Sequence, residues 1–106
     1  MTAKEFIMSF PERINPEALA GKENTVFHFK ISGTDGGDFT CKHENGNFTV
    51  EEGLHGEAKC VVDSSDKTLM KIISGKSNPM MAVMMGKLKI SDLGELTKFA
   101  KPLGLM

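Results

Sequence analysis

An α+β fold follows from three features of this 106-residue sequence. Five short segments alternate apolar and polar residues with the period of two that a half-buried strand requires. Segments with helical spacing stand before the first strand, between the fourth and the fifth, and after the last, marked by capping residues, Pro and Gly. The connections among the first four strand segments are too short for helical crossovers, which predicts a mainly antiparallel sheet.

The N-terminal Thr2-Ala3-Lys4-Glu5 has the spacing of a capping box, in which hydroxyl and carboxylate satisfy each other's backbone N–H groups. Phe6, Ile7 and Phe10 then share one face, and Pro11 is expected to stop this helix. Asn15-Pro16-Glu17 starts another of one or two turns, since Asn caps well and Pro suits the first helical position; Gly21 ends it. Over Val26–Ser32 the period becomes two, with Phe27, Phe29 and Ile31 on one face. After the glycine-rich loop 33–37, Phe39, Cys41 and His43 alternate with Thr40, Lys42 and Glu44. Asn45-Gly46 supplies the two positive φ angles of a type I′ hairpin turn, and Phe48 and Val50 resume the alternation. Ala58–Val62 is the fourth strand, with Ala58, Cys60 and Val62 on one side.

From Ser64-Ser65-Asp66 the pattern is helical, with Leu69, Ile72 and Ile73 on one face until Gly75. Asn78-Pro79 opens a further helix whose body, Met80–Met85, is apolar on every side before Gly86. Such a helix is expected to meet protein, ligand or a partner around its whole circumference. Lys87–Ile90 is the fifth strand, and Asp92-Leu93-Gly94-Glu95 opens a last helix with Leu96, Phe99 and Ala100 inward. Pro102 breaks it, leaving an apolar tail of Leu103, Leu105 and Met106.

With 40% hydrophobic residues and 25% charged, the chain reads as one domain over residues 1–106, long enough to bury a core without disulfides or metal. Its longest apolar run is six residues, Met80–Met85, far short of the ~20 of a membrane span. The N-terminus shows no basic region followed by an apolar one, so a cytoplasmic location is expected, with Cys41 and Cys60 as reduced thiols. A net charge of -1 argues against nucleic acid as a partner. The charge is uneven, however. Residues 1–58 carry five basic and ten acidic side chains, and residues 59–106 carry eight lysines and four acids. Such a dipole suits transient contact with an anionic membrane surface.

Few residues suggest chemistry. His28, His43 and His55 sit in or near separate strands without metal-ligand spacing, so surface or half-buried imidazoles and no metal are expected. Cys41 and Cys60 occupy alternating core positions, where a thiol acts as a small hydrophobe rather than a nucleophile. Glu51 and Glu52 are strand neighbours and point to opposite faces, so they cannot flank one bond. The 33–37 loop has glycines but no helix or Lys-Ser/Thr behind it to hold a phosphate. The unusual feature is sulfur: eight methionines, four of them within Met80–Met85. Flexible thioethers adapt to ligands or partners of variable shape, although a plain core helix explains them as well.

The run Gly75-Lys76-Ser77-Asn78-Pro79-Met80-Met81-Ala82-Val83-Met84-Met85-Gly86-Lys87-Leu88-Lys89-Ile90 resembles the signature of the sterol carrier protein 2 domain. Asn15-Pro16-Glu17, Phe27-His28-Phe29, Asn45-Gly46 and Val50-Glu51-Glu52-Gly53 support the likeness, which covers nearly the whole chain. Val83, where many relatives carry an aromatic, and Ser91-Asp92, where Gly is usual, depart from it. The resemblance implies a five-stranded, mainly antiparallel twisted sheet covered on one face by helices, with an apolar cavity between them. It also implies a non-catalytic carrier of fatty acid, fatty acyl-CoA or sterol-like ligands that needs no cofactor. On this sequence the lipid-binding residues would be Phe29, Phe39, Val50, Ile73, Met80, Met81, Met84, Met85, Phe99 and Leu103, with the tail from Leu103 as lid or entrance. The chain would be a monomer or weak homodimer. The other reading is an interaction or dimerisation module that uses the apolar Met helix and the tail.

Overall fold

The alternating segments form one sheet in the computed structural model, which describes residues 1–103; Leu105 and Met106 of the apolar tail lie outside the described residues. Strands β1 (Thr25–Ser32), β2 (Gly37–Glu44), β3 (Asn47–Glu52), β4 (Cys60–Ser65) and β5 (Leu88–Ile90) are ordered β3-β2-β1-β4-β5. The hairpin between β2 and β3 turns on Asn45 at φ 51° and Gly46 at φ 84°. Three of the four pairings are antiparallel; β1–β2 and β2–β3 have the short connections that predict this, while β4 and β5 are joined through the two helices of residues 66–87.

The exception corrects that argument. β4 starts at Cys60 rather than Ala58 and runs parallel to β1, with Phe27 opposite Cys60 and Phe29 opposite Val62. The chain reaches it from the far edge without a helix. Glu52 ends β3 in the row of Phe39 and Phe29, and Cys60 begins β4 in the row of Phe27. The crossing therefore moves three strand spacings sideways, about 14 Å, but steps back only two residues. Residues 53–59 span it over the outer face of the sheet. There the Thr40 hydroxyl donates to the Gly53 carbonyl and accepts from the His55 N–H, both at 2.8 Å, while His28 Nε2 donates to the His55 carbonyl at 3.0 Å. This segment buries the two polar residues beneath it, His28 and Thr40.

Helices α1 (Ala3–Met8), α2 (Phe10–Arg13), α3 (Asp66–Ile73), α4 (Pro79–Met84) and α5 (Leu93–Ala100) complete the fold, with a 3-10 turn at Pro16–Leu19. Phe6, Phe10, Leu69 and Phe99 join the inner residues of the strands in one core. The Thr2–Glu5 capping box is complete. Pro11 does not end the helical segment. It sits in the first turn of α2, where its missing N–H has no partner to lose, so the chain pivots at Ser9 and continues. At the other side of the molecule α3 and α4 end alike. Gly75 (φ 79°) and Gly86 (φ 74°) take the left-handed conformation, and the next N–H groups return to the helix, Lys76 to the Lys71 carbonyl and Lys87 to that of Ala82, both at 2.9 Å.

His28 and His43 depart from the expected surface or half-buried imidazoles, and His43 departs furthest: it is 1% exposed. Its place in the Phe39-Cys41-His43 alternation puts it on the inner face. Its Nδ1–H donates to the Glu23 carbonyl at 2.8 Å, and its ring packs against Phe99 at 5.5 Å between centroids.

Candidate functional site

The inner face of the sheet changes character at β1. On one side of it the register aligns Val50, Cys41 and Phe27 in one row, and Phe48 with His43 in the next. On the other side Phe29 meets Val62 and Ile90, and Ser64 meets Leu88. No aromatic residue lies on β4, β5, α3 or α4. Aliphatic side chains of α3 and α5 approach this second region without filling it. What remains is a cleft of about 750 Å³, floored by Phe29, Val62 and Ile90 and walled by Ile72, Val83 and Leu96, among others. Lys76, Ser77, Asn78 and Thr97 are its polar lining.

Local signals hold the walls in place. Ser65 caps α3, its hydroxyl accepting from the Thr68 N–H at 3.1 Å. Asn78 Oδ1 accepts from the Met80 N–H at 2.8 Å and so starts α4 directly after the α3 terminus. Asp92 caps α5 by accepting from the Glu95 N–H at 3.0 Å. The reciprocal half of that expected capping box is absent, because Glu95 is used elsewhere. It accepts from the Thr25 hydroxyl at 2.6 Å and from Lys98 Nζ at 3.2 Å, which ties α5 to the start of β1. These contacts, Thr25 foremost, hold the Glu95 carboxyl below the usual glutamate value, against the opposing effect of burial. Ser91, one of the two departures from the resembled signature, accepts the Val61 N–H at 2.7 Å on its hydroxyl and prolongs the β4–β5 pairing.

The structure divides the candidate lipid-binding residues into three groups. Phe29, Ile73 and Met80 line the cleft. Phe39, Phe99 and Leu103 are buried in the packed core, Val50 is partly buried against it, and none of the four lines the cleft. Met81, Met84 and Met85 are 53%, 79% and 61% exposed. Within this chain the Met helix is covered along one side only: among residues 79–85 Ala82 alone is buried, since six helical residues contact the sheet along one edge, and the rest of its circumference is left for a ligand or a partner. Where an apolar cavity between sheet and helices was expected, the structure has an open cleft at the β4–β5 end. The sequence pattern puts Leu69, Ile72 and Leu96 on the apolar faces of their helices and Val62 on one face of its strand, but it marks neither these residues nor Leu88 as cleft lining. The available signal was the lack of any aromatic residue between Phe48 and Phe99.

Both thiols are sheet residues. Burial raises the Cys41 pKa strongly, and that of Cys60 also rises, with burial as the largest cause. Among the described residues no three His, Cys, Asp or Glu side chains cluster closely enough to hold a metal ion, and no helix is long and apolar enough to cross a membrane.

The chain matches the model of the SCP-2 sterol transfer family over residues 4–104. It is 33% identical over 105 residues to Hydroxysteroid dehydrogenase-like protein 2 of Xenopus tropicalis, covering 97% of this chain and 25% of that protein. Its identity to Sterol carrier protein 2 of Gallus gallus is 35% over 78 residues, 71% of this chain and 14% of that one. It thus spans a quarter or less of the length of these relatives. Among solved structures it is similar to the sec-alkylsulfatase Pisa1 from Pseudomonas sp., with a TM-score of 0.77, 20% identity, and coverage of 100% of this chain and 16% of that one. Palmitated SCP2L2 from Aedes aegypti gives a TM-score of 0.68 at 19% identity, covering 97% and 95% of the two chains. At these identities the solved structures establish the shared fold, while the family match rests on the sequence itself. Five strands in this order, the cleft beside β4 and β5, and a match over nearly every residue lead to one conclusion: the chain belongs to the SCP-2 sterol transfer family.

Proposed function

We propose that this domain is a non-catalytic lipid-binding and transfer module that holds the hydrocarbon part of one fatty acid, fatty acyl-CoA or sterol-like molecule in the cleft. The cleft itself carries this reading: about 750 Å³ of mainly apolar lining, inside the ~300–1,000 Å³ range of small-molecule sites, in a chain of a sterol transfer family. Burial of a methylene gains about 0.8 kcal/mol, so roughly ten of them reach micromolar affinity without specific polar contacts.

Phe29 forms the floor, Ile73 and Met80 contact the chain of the ligand, and Lys76 and Asn78 meet its polar end. Phe39, Val50, Phe99 and Leu103 act indirectly, as the rigid packing that the cleft leans on. The palmitated state of the Aedes aegypti relative supports an acyl chain as the kind of ligand this fold accepts. The buried, high-pKa thiols support a carrier rather than a covalent catalyst, since the reactive thiolate is suppressed. In longer relatives such as the hydroxysteroid dehydrogenase-like protein, the matching region fits the same role beside other domains. A cytoplasmic site of action is part of the proposal.

Native mass spectrometry of the purified chain, followed by displacement of a bound fluorescent fatty acid, tests it. One ligand per chain, displaced by fatty acid or acyl-CoA, is the expected result. A clean unliganded mass together with no displacement overturns it.

A further inference from the structure

Met80, Met81, Met84 and Met85 each expose more than half of their surface, up to 79% at Met84, and helical spacing puts them on one side of α4 and its C-cap, away from the buried Ala82. An apolar cluster of this kind is costly in water unless something covers it, and such patches mark contact with a membrane or another protein. The charge around it selects between these. Residues 67–91 contain five lysines and no Asp or Glu. None of the five takes part in an ion pair among the described residues, where Lys4, Lys42 and Lys98 are the lysines that do. Lys76 precedes α4 and Lys87 follows it, each held to a helix end by its backbone N–H. A symmetric dimer across α4 would bring two copies of these lysines together, which Coulomb repulsion disfavours. An anionic phospholipid surface meets both needs at once, taking methionine side chains below its headgroups and lysines among its phosphates.

Position adds a second argument. Met80 belongs both to the exposed cluster and to the lining of the cleft, so the patch adjoins the mouth. The N-terminal helix offers no comparable face, because Ala3, Phe6 and Ile7 are at most 1% exposed.

We propose that α4 and its flanking loops form a docking surface for an anionic phospholipid bilayer, through which lipid passes between membrane and cleft. This deepens the reading of the cleft as a lipid site and rests on it.

The chain has no Trp or Tyr, so a single introduced Trp reports its own surroundings. Met84→Trp is compared with Leu54→Trp, which lies on the crossover over the opposite face of the sheet. Each is mixed with vesicles of phosphatidylcholine alone, or of phosphatidylcholine with phosphatidylglycerol, with and without brominated acyl chains. The expected result is a blue shift and bromine quenching for Met84→Trp on the anionic vesicles only, weakened by salt. The double variant Lys76→Gln/Lys87→Gln should bind them roughly 25-fold less, about fivefold per lysine. No vesicle binding, or equal quenching of Leu54→Trp, overturns the proposal. So does a blue shift that grows with protein concentration in the absence of vesicles, which would make a second copy the occupant. Displacement of fluorescent fatty acid without vesicles is run in parallel. Displacement retained without vesicle binding removes the docking surface and leaves the carrier reading intact, and loss of both removes both.

Discussion

The two ends of the sheet use one architecture for opposite purposes. Toward β3 the helix-covered face is filled with rings. Phe10 contacts Phe6, Phe29 and Phe48 at 5.1, 5.8 and 6.3 Å between centroids, and Phe27 contacts Phe99 at 5.3 Å, all with steep interplanar angles. Toward β5 the same face carries Val, Leu and Ile, and the covering helices leave about 750 Å³ between them. Large planar side chains close space efficiently and lock one another in edge-to-face geometry, whereas branched aliphatics on short elements leave it open. Rigidity at one end is thus what permits an unfilled site at the other.

The largest effect should come from breaking the filled end. Phe10→Ala removes a fully buried ring with three aromatic neighbours and is expected to cost about 3–5 kcal/mol of unfolding free energy in denaturant titration. Ligand affinity should change little at temperatures where the fold persists. The complementary change fills the open end. Ile73→Trp adds bulk to the cleft wall and should weaken fatty-acid binding by about tenfold or more, while stability moves by less than ~1 kcal/mol, since open space accepts volume that a packed core rejects. A loss of stability as large as the loss of binding would show that the two ends are packed alike.

A third change concerns the joint between them, where Glu95 of α5 meets Thr25 of β1. Its carboxyl titrates below the usual 4.5 in the folded state, so its contribution to stability is present above that pH and is lost as pH falls through the folded value. Glu95→Gln should cost about 1 kcal/mol near neutrality, and the difference from the parent should shrink as pH drops below 4.5 in thermal unfolding. The smallest effect is expected at the exposed helix. Met84→Gln should alter stability by no more than about 0.5 kcal/mol, whatever it does to membrane binding.

Much of this was legible in the residues. The alternation of Phe27, Phe29 and Ile31, the Asn45-Gly46 turn and the caps at Thr2, Ser65, Asn78 and Asp92 are local signals, and each corresponds to an observed element. The parallel β1–β4 pairing was not, because residues 53–59 carry no mark of which face they cross or which strand they approach. The candidate site was half legible. Phe29, Ile73 and Met80 were placed by pattern and resemblance, but apolarity alone could not separate Met80 at the cleft from Met84 in solvent. A six-residue helix presents few positions to its neighbours, and which ones they are depends on how α4 sits against β5.

The sequence by itself determined most of the elements, the N-caps at Thr2, Ser65, Asn78 and Asp92, the Asn45-Gly46 turn and the family, since all of these depend on neighbours within a few residues or on a contiguous motif. Only the tertiary structure decided the strand order, the burial of His43 and the use of Glu95 as a tie between α5 and β1. It alone also decided that the expected apolar cavity is an open cleft, with Met81, Met84 and Met85 outside it. These outcomes depend on which distant surfaces meet and how much space their side chains leave, and volume left over is a property of the assembled layers rather than of any segment.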